Sequence, residues 1–267
     1  MSVPELFWYQ YILIAFVFVW SGFVRAGLGF GGAALSLPFL LLIENQPLFF
    51  LPVIAIHLLI FSSITVLSSH LRERGSASND VAAGDVSTGI DWNYLRYALG
   101  VMILPKLIGV FGLITLPAEL MSGIIFLIVA VYAVGYIANR PFRSRSRAAD
   151  LLFLILGGYV SGSSLVGAPL IVAVFSNHVA RHQLRDTLFV LWFILVIIKL
   201  SAFVYAGVDL QLAQQLWLLP CAAIGHLFGL RLHERMLQAE TIGFFRTMGS
   251  ALLLVSLVGL VKIVAFD

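Results

Sequence analysis

The sequence predicts an all-α polytopic membrane protein made of two inverted repeats, each an interrupted, re-entrant helical hairpin followed by three transmembrane helices. Three observations carry this. Of the 267 residues 61% are hydrophobic and 11% are charged, at a mean hydropathy of +1.02, whereas a soluble domain carries about a quarter charged residues. Apolar stretches recur along the whole chain, each about long enough to cross roughly 30 Å of hydrocarbon at about 1.5 Å per residue. Two of them are broken by glycine-rich runs at corresponding places: a shift of 136 residues lays Gly22 on Gly158, Gly31 on Gly167 and Pro47 on Gln183. In lipid every backbone polar group needs an internal partner, so spanning elements are helices. A break at membrane depth must be covered by protein or line a water-filled cavity.

The first element is the broken region 7 to 43. Its apolar run from Phe7 to Val24 follows a head, MSVPEL, without Lys or Arg, so it lacks the basic region of a signal peptide and reads as mature protein. The run GLGFGGA (Gly27 to Ala33) interrupts it, and the second arm, ending at Ile43, is too short to span. Segments 47 to 69, 92 to 116 and 118 to 138 then each suffice to cross. Residues 150 to 177 repeat the broken pattern around GGYVSGSSLVGAP (Gly157 to Pro169), and 184 to 207, 211 to 231 and 243 to 265 complete the second half. Breaker residues and hydropathy set these limits. The expected organisation is an N-terminal repeat over 1–139, a basic cytoplasmic linker over 140–149 and a C-terminal repeat over 150–267. Late in each half the shift drifts, because His70 to Asp91 is longer than Gly207 to Leu210, yet Pro105, Gly109 and Gly112 still resemble Pro220, Gly225 and Gly229.

Charge sets the orientation. If each broken region dips in and returns, or crosses twice, while the other six segments cross once, one side receives the loops at 70–91, 139–150, 177–186 and 231–246. Those loops and the adjoining helix ends hold twelve of the sixteen basic residues. The other side keeps Lys262 with Glu5, Glu44, Glu119, Asp209 and Asp267. Positive charge marks the cytoplasm, so both termini lie outside, and three crossings per half turn the second half upside down. The basic run RPFRSRSR (Arg140 to Arg147) then faces anionic lipid rather than nucleic acid.

Three cations remain that no interface claims: Arg25 beside the first break, and Lys106 and Lys199 midway along their helices. An ionised side chain at the bilayer centre normally faces a cavity or a partner. No carboxylate lies in these cores, so an anionic ligand is one partner; snorkelling or contact with backbone carbonyls is the competing one. Half-helices starting near Gly31–Gly32–Ala33 and at Gly167–Ala168 would present free N–H groups and a positive dipole end to an anion. Gly29, like its neighbours, would let a ligand reach the backbone, although single glycines in membrane helices more often serve packing. Ser62, Ser163 and Ser164 are neutral donors that could complete an anion shell or simply bond back to their own turn. His57, at mid-helix, is the core candidate for handling protons, with a packed neutral imidazole as the simpler reading for it and for His226. The lone cysteine, Cys221, reads as a packed thiol, and HVARHQLRD (His178 to Asp186) lies in a basic loop, so no metal and no cofactor are expected. No nucleophile–base–metal constellation can be assembled, which argues against an enzyme.

The stretch RAGLGFGGAALSLPFLLL (Arg25 to Leu42) and its second copy SGSSLVGAPLIV (Ser161 to Val172) resemble the glycine-rich GxGGG run followed by proline of the sulfite exporter TauE/SafE family. This chain departs from that pattern with GFGGA in the first copy and SSLVGAP in the second. The resemblance covers both halves and implies export of a small sulfur-containing anion, sulfite or organosulfonate-like, across the bacterial inner membrane by a multi-pass protein. The expected partners are that anion and membrane lipids, with no nucleic acid and with a homodimer left open. Transport of another anion, or a receptor or assembly role, are the alternatives.

Overall fold

The computed structural model describes residues 6–28, 32–76, 89–140, 142–238 and 241–266. Those residues form helices throughout and no strand. The first half contains α1 (Trp8–Leu28), α2 (Gly32–Ile43), α3 (Pro47–Ser76), α4 (Trp92–Thr115) and α5 (Ala118–Ile137). The second contains α6 (Arg147–Ser164), α7 (Ala168–His178), α8 (Arg181–Tyr205), α9 (Leu212–Gln238) and α10 (Thr241–Phe266). Each half thus runs long, short, long, long, long. The short helices α2 and α7, of 12 and 11 residues, cover less than 20 Å at about 1.5 Å per residue and cannot cross.

Among the described residues six helices, α1, α3, α4, α5, α8 and α10, are long and apolar enough to span a membrane. They turn large side chains outward, such as Phe16, Leu104 and Phe111, the last 69% exposed; a multi-pass membrane protein presents these to lipid tails. Helix α9 has 27 residues and carries Gln214, Gln215 and His226 along its length. Helix α1 is itself span-length, although the sequence marked it as one arm of a hairpin.

Both broken regions fold back to where they began. The Gln10 amide, near the start of α1, donates to Ile43 O at the end of α2 (3.1 Å). In the second half His178 Nε2, closing α7, lies 2.9 Å from Asp150 Oδ2 in the first turn of α6, and Asn177 Nδ2 donates to Ser144 O. Helix α6 starts at Arg147, inside the stretch expected as linker. Ser146 caps it by accepting from Ala149 N (3.2 Å), and Asp150 complements the helix dipole.

The halves interlock rather than sit side by side. Helix α1 packs along α9, α4 along α6, α5 along α10, and α3 meets α8. Exchanging the halves maps each of these pairings onto itself or onto another of the four. Glycines bring the paired backbones together. A Cβ on Gly22 would overlap Ala222 O, one on Gly225 would overlap Val19 O, and one on Gly229 would overlap Phe23 O. Likewise Gly158 would meet Met102 O at 2.7 Å, while Gly109 and Gly162 would overlap Tyr159 O and Lys106 O. This close small-residue packing replaces the hydrophobic drive that lipid removes. It also revises the alignment of the halves. Gly109 faces Tyr159, which is Phe23 shifted by 136, and the glycine facing Phe23 O is Gly229. Gly109 therefore corresponds to Gly229 rather than Gly225, and Met102 to Ala222, a shift of 120 in the fourth helix.

Candidate functional site

The second break is closed by the protein's own lysines. A helix leaves its last carbonyls without intrahelical donors, and α6 ends inside the molecule at Ser164, where Leu165 takes the left-handed conformation (φ 61°). Lys106 and Lys199, both 0% exposed, reach those carbonyls from α4 and α8. Lys106 Nζ donates to Ser161 Oγ (3.0 Å) and Ser161 O (3.4 Å). Lys199 Nζ donates to Gly162 O (2.6 Å) and Ser163 O (3.3 Å). The preceding carbonyl, Val160 O, accepts from the hydroxyls of Ser163 and Ser164. Three of the last four carbonyls of α6 are thereby satisfied by the two lysine Nζ groups. The chain's third lysine, Lys262, does the same for α2, donating to Leu42 O (3.5 Å).

The first break is built differently. Arg25 leaves the end of α1 and points back toward the helix start, as helical side chains do. Its guanidinium lies over the Phe61 ring of α3, 4.1 Å from the centroid. The His226 ring of α9 is 5.0 Å from the same phenyl ring, and the His57 ring of α3 is 6.2 Å from it and 5.2 Å from Phe18. His57 is 2% exposed and His226 8%. Both imidazoles lie close enough to Arg25 to feel its charge, and Gln215 of α9 faces His57. Yet Arg25 Nε and Nη2, His57 Nε2, His226 Nδ1 and both amide atoms of Gln215 are buried without hydrogen-bonding partners among the described residues. The structural shift of 120 makes His226 the counterpart of Lys106, and the shift of 136 makes Arg25 the counterpart of Ser161. Equivalent positions thus hold a lysine–serine contact in one half and two basic side chains in the other.

The family model of the sulfite exporter TauE/SafE family matches residues 13–260, nearly the whole chain. The chain belongs to the sulfite exporter TauE/SafE family. No curated protein and no solved structure matches. A TauE/SafE member is a membrane transporter, in keeping with six apolar helices and two broken hairpins.

Within this TauE/SafE chain the residues anticipated from sequence divide into two groups. Arg25 and His57 meet around Phe61, and Ser62 is half-buried next along α3. Lys106, Lys199, Ser163 and Ser164 gather at the end of α6, bonded to carbonyls. Gly167 is buried, and a Cβ there would overlap Gly157 O, so its glycine answers to hairpin packing; Ala168 opens α7 behind it. Gly32 opens α2 as anticipated, and Ala33 follows, but their surroundings, with Gly29 and Gly31, lie outside the described residues. Sequence reasoning passed over Gln215 and left His226 as packing. The signal available was a glutamine pair, Gln214–Gln215, inside an apolar helix; Gln214 accepts from Trp217 Nε1 (2.6 Å), which leaves Gln215 as the unusual one. The recess of about 440 Å³ lined by Leu59, Ile197, Leu200, Ser201, Val204 and Tyr205 is mostly apolar and lacks a cation to hold an anion.

Proposed function

We propose that this TauE/SafE member exports a small sulfur-containing anion, sulfite or organosulfonate-like, across the bacterial inner membrane by alternating access between two inverted repeats. The observation that carries this is Arg25. Its guanidinium lies over Phe61 with Nε and Nη2 buried and unpartnered among the described residues, and a charged side chain at the centre of a membrane helix costs about 2.5–3.5 kcal/mol. A transported anion would offset that cost, and no carboxylate among the described residues does so. The repeated element order and the exchange of pairings between halves support the duplication. The asymmetry of basic residues supports the inversion. Each broken hairpin is gripped by the fourth helix of the opposite half, so displacing one half against the other moves both hairpins, as alternating access requires.

On this reading Arg25, His57, Ser62 and the first glycine run, Gly29 to Ala33, line the path. Lys106, Lys199, Ser163, Ser164, Gly167 and Ala168 build the second break. Reconstituted in proteoliposomes, the protein should give saturable sulfite or sulfonate flux. Binding of the anion without flux would instead mark a receptor, and neither would refute the reading altogether.

A further inference from the structure

Six buried polar atoms along the seam of α1, α3 and α9 lack partners among the described residues: Nε and Nη2 of Arg25, Nε2 of His57, Nδ1 of His226, and Nε2 and Oε1 of Gln215. Such a concentration is unusual, because buried polar groups are almost always paired. Their chemistry specifies the partner that suits them. The arginine nitrogens and the glutamine nitrogen can only donate, each imidazole nitrogen donates in one of its tautomers, and only the glutamine oxygen is obliged to accept. The matching partner is rich in acceptors and negatively charged. Nε and Nη2 form one edge of the guanidinium, with parallel N–H groups that match two oxygens of a single anion. A halide or hydrosulfide meets both N–H groups with one atom, so its two hydrogen bonds converge and bend, whereas two oxygens take both in line. A metal ion would sit beside a guanidinium charge, which opposes it.

We infer that Arg25, His57 and His226, gathered around Phe61, form an oxyanion site between α1, α3 and α9, gripping adjacent oxygens of a sulfite- or sulfonate-type head on the guanidinium edge, with Gln215 behind His57 as a positioning residue. His226, and Gln215 behind His57, come from the opposite half of the chain. The inference rests on the transport reading for the ligand's sulfur, not for its oxyanion character. Stacking on Phe61 presets the plane of the guanidinium, so little rotamer freedom is lost when the anion docks. The other half shows the alternative: at the place equivalent to His226, Lys106 bonds Ser161, the counterpart of Arg25, and the position is closed from within.

The test is sulfite affinity of the detergent-purified full chain, read by titration and by sulfite-dependent thermal stabilisation, with chloride as the comparison ion. His226→Ala should weaken sulfite binding by about tenfold to a hundredfold, the loss expected for one hydrogen bond to a charged group. Gln215→Glu places a carboxylate of the same shape beside His57. It should raise the melting temperature without sulfite and abolish the sulfite response, because the protein then carries its own anion; this variant decides the matter even where His226→Ala does not fold. Wild-type sulfite affinity in Gln215→Glu, or equal protection of the wild type by chloride and sulfite, overturns the oxyanion site and leaves the transport reading standing. Sulfite binding that both substitutions destroy, in a wild type that moves no sulfite through liposomes, keeps the site and overturns transport.

Discussion

Arginine and lysine do different work in this protein. The guanidinium of Arg25 offers a fork stacked on a phenyl ring, whereas each lysine brings a compact charge to the end of a half-helix. Arg25→Lys keeps the charge and loses the paired N–H groups. Sulfite flux should then show a KM raised about tenfold or more, matching the ~1.5–3 kcal/mol of a hydrogen bond to a charged group, with the protein still folded. Lys199→Ala should behave oppositely. Removing it leaves Gly162 O and Ser163 O without a donor, so unfolding should become easier by about 1–3 kcal/mol, measured by thermal melts, while sulfite affinity stays within about twofold. From the sequence alone the three interior cations look alike, since each lacks a nearby carboxylate. What separates them is where the free carbonyls of α6 point, which depends on how α4 and α8 pack and leaves no mark in local sequence.

Among the elements, the broken hairpins were readable from residue type. Glycine and proline stop helices, and the arms at 33–43 and 150–177 are too short or too interrupted to cross, so helix starts at Gly32 and Ala168 follow. Less readable was which helix grips which. The glycines of α1, α4, α6 and α9 suit close packing in general, but the register between Gly109 and Gly229 appears only when α4 lies along α6 and α9 along α1. Substitutions at two helical glycines should therefore differ in sign. Gly225→Ala puts a methyl group into Val19 O and should lower the melting temperature and the yield of folded protein. Gly100→Ala, with nothing within 4 Å, should stabilise the protein by about 0.5–1 kcal/mol through helix propensity.

At the scale of the whole molecule, composition disclosed a membrane protein and the placement of arginines supports the proposed orientation, while the meeting of His226 with Arg25 at Phe61 required the interlocked fold. The inverted arrangement proposed here predicts that equivalent hairpin openings face opposite sides. In a Cys221→Ser background, Phe7→Cys should react with a membrane-impermeant thiol reagent from outside intact cells, and Arg143→Cys only after the cytoplasmic face is opened; reaction of both from one side contradicts the inversion. The central claim is that an interior arginine carries a sulfur-containing anion across the membrane. Efflux of radiolabelled sulfite from proteoliposomes, comparing the wild type with folded Arg25→Ala, tests it most directly. Saturable efflux in the wild type that Arg25→Ala abolishes is the predicted result; equal efflux from both proteins, or none from the wild type, would contradict it.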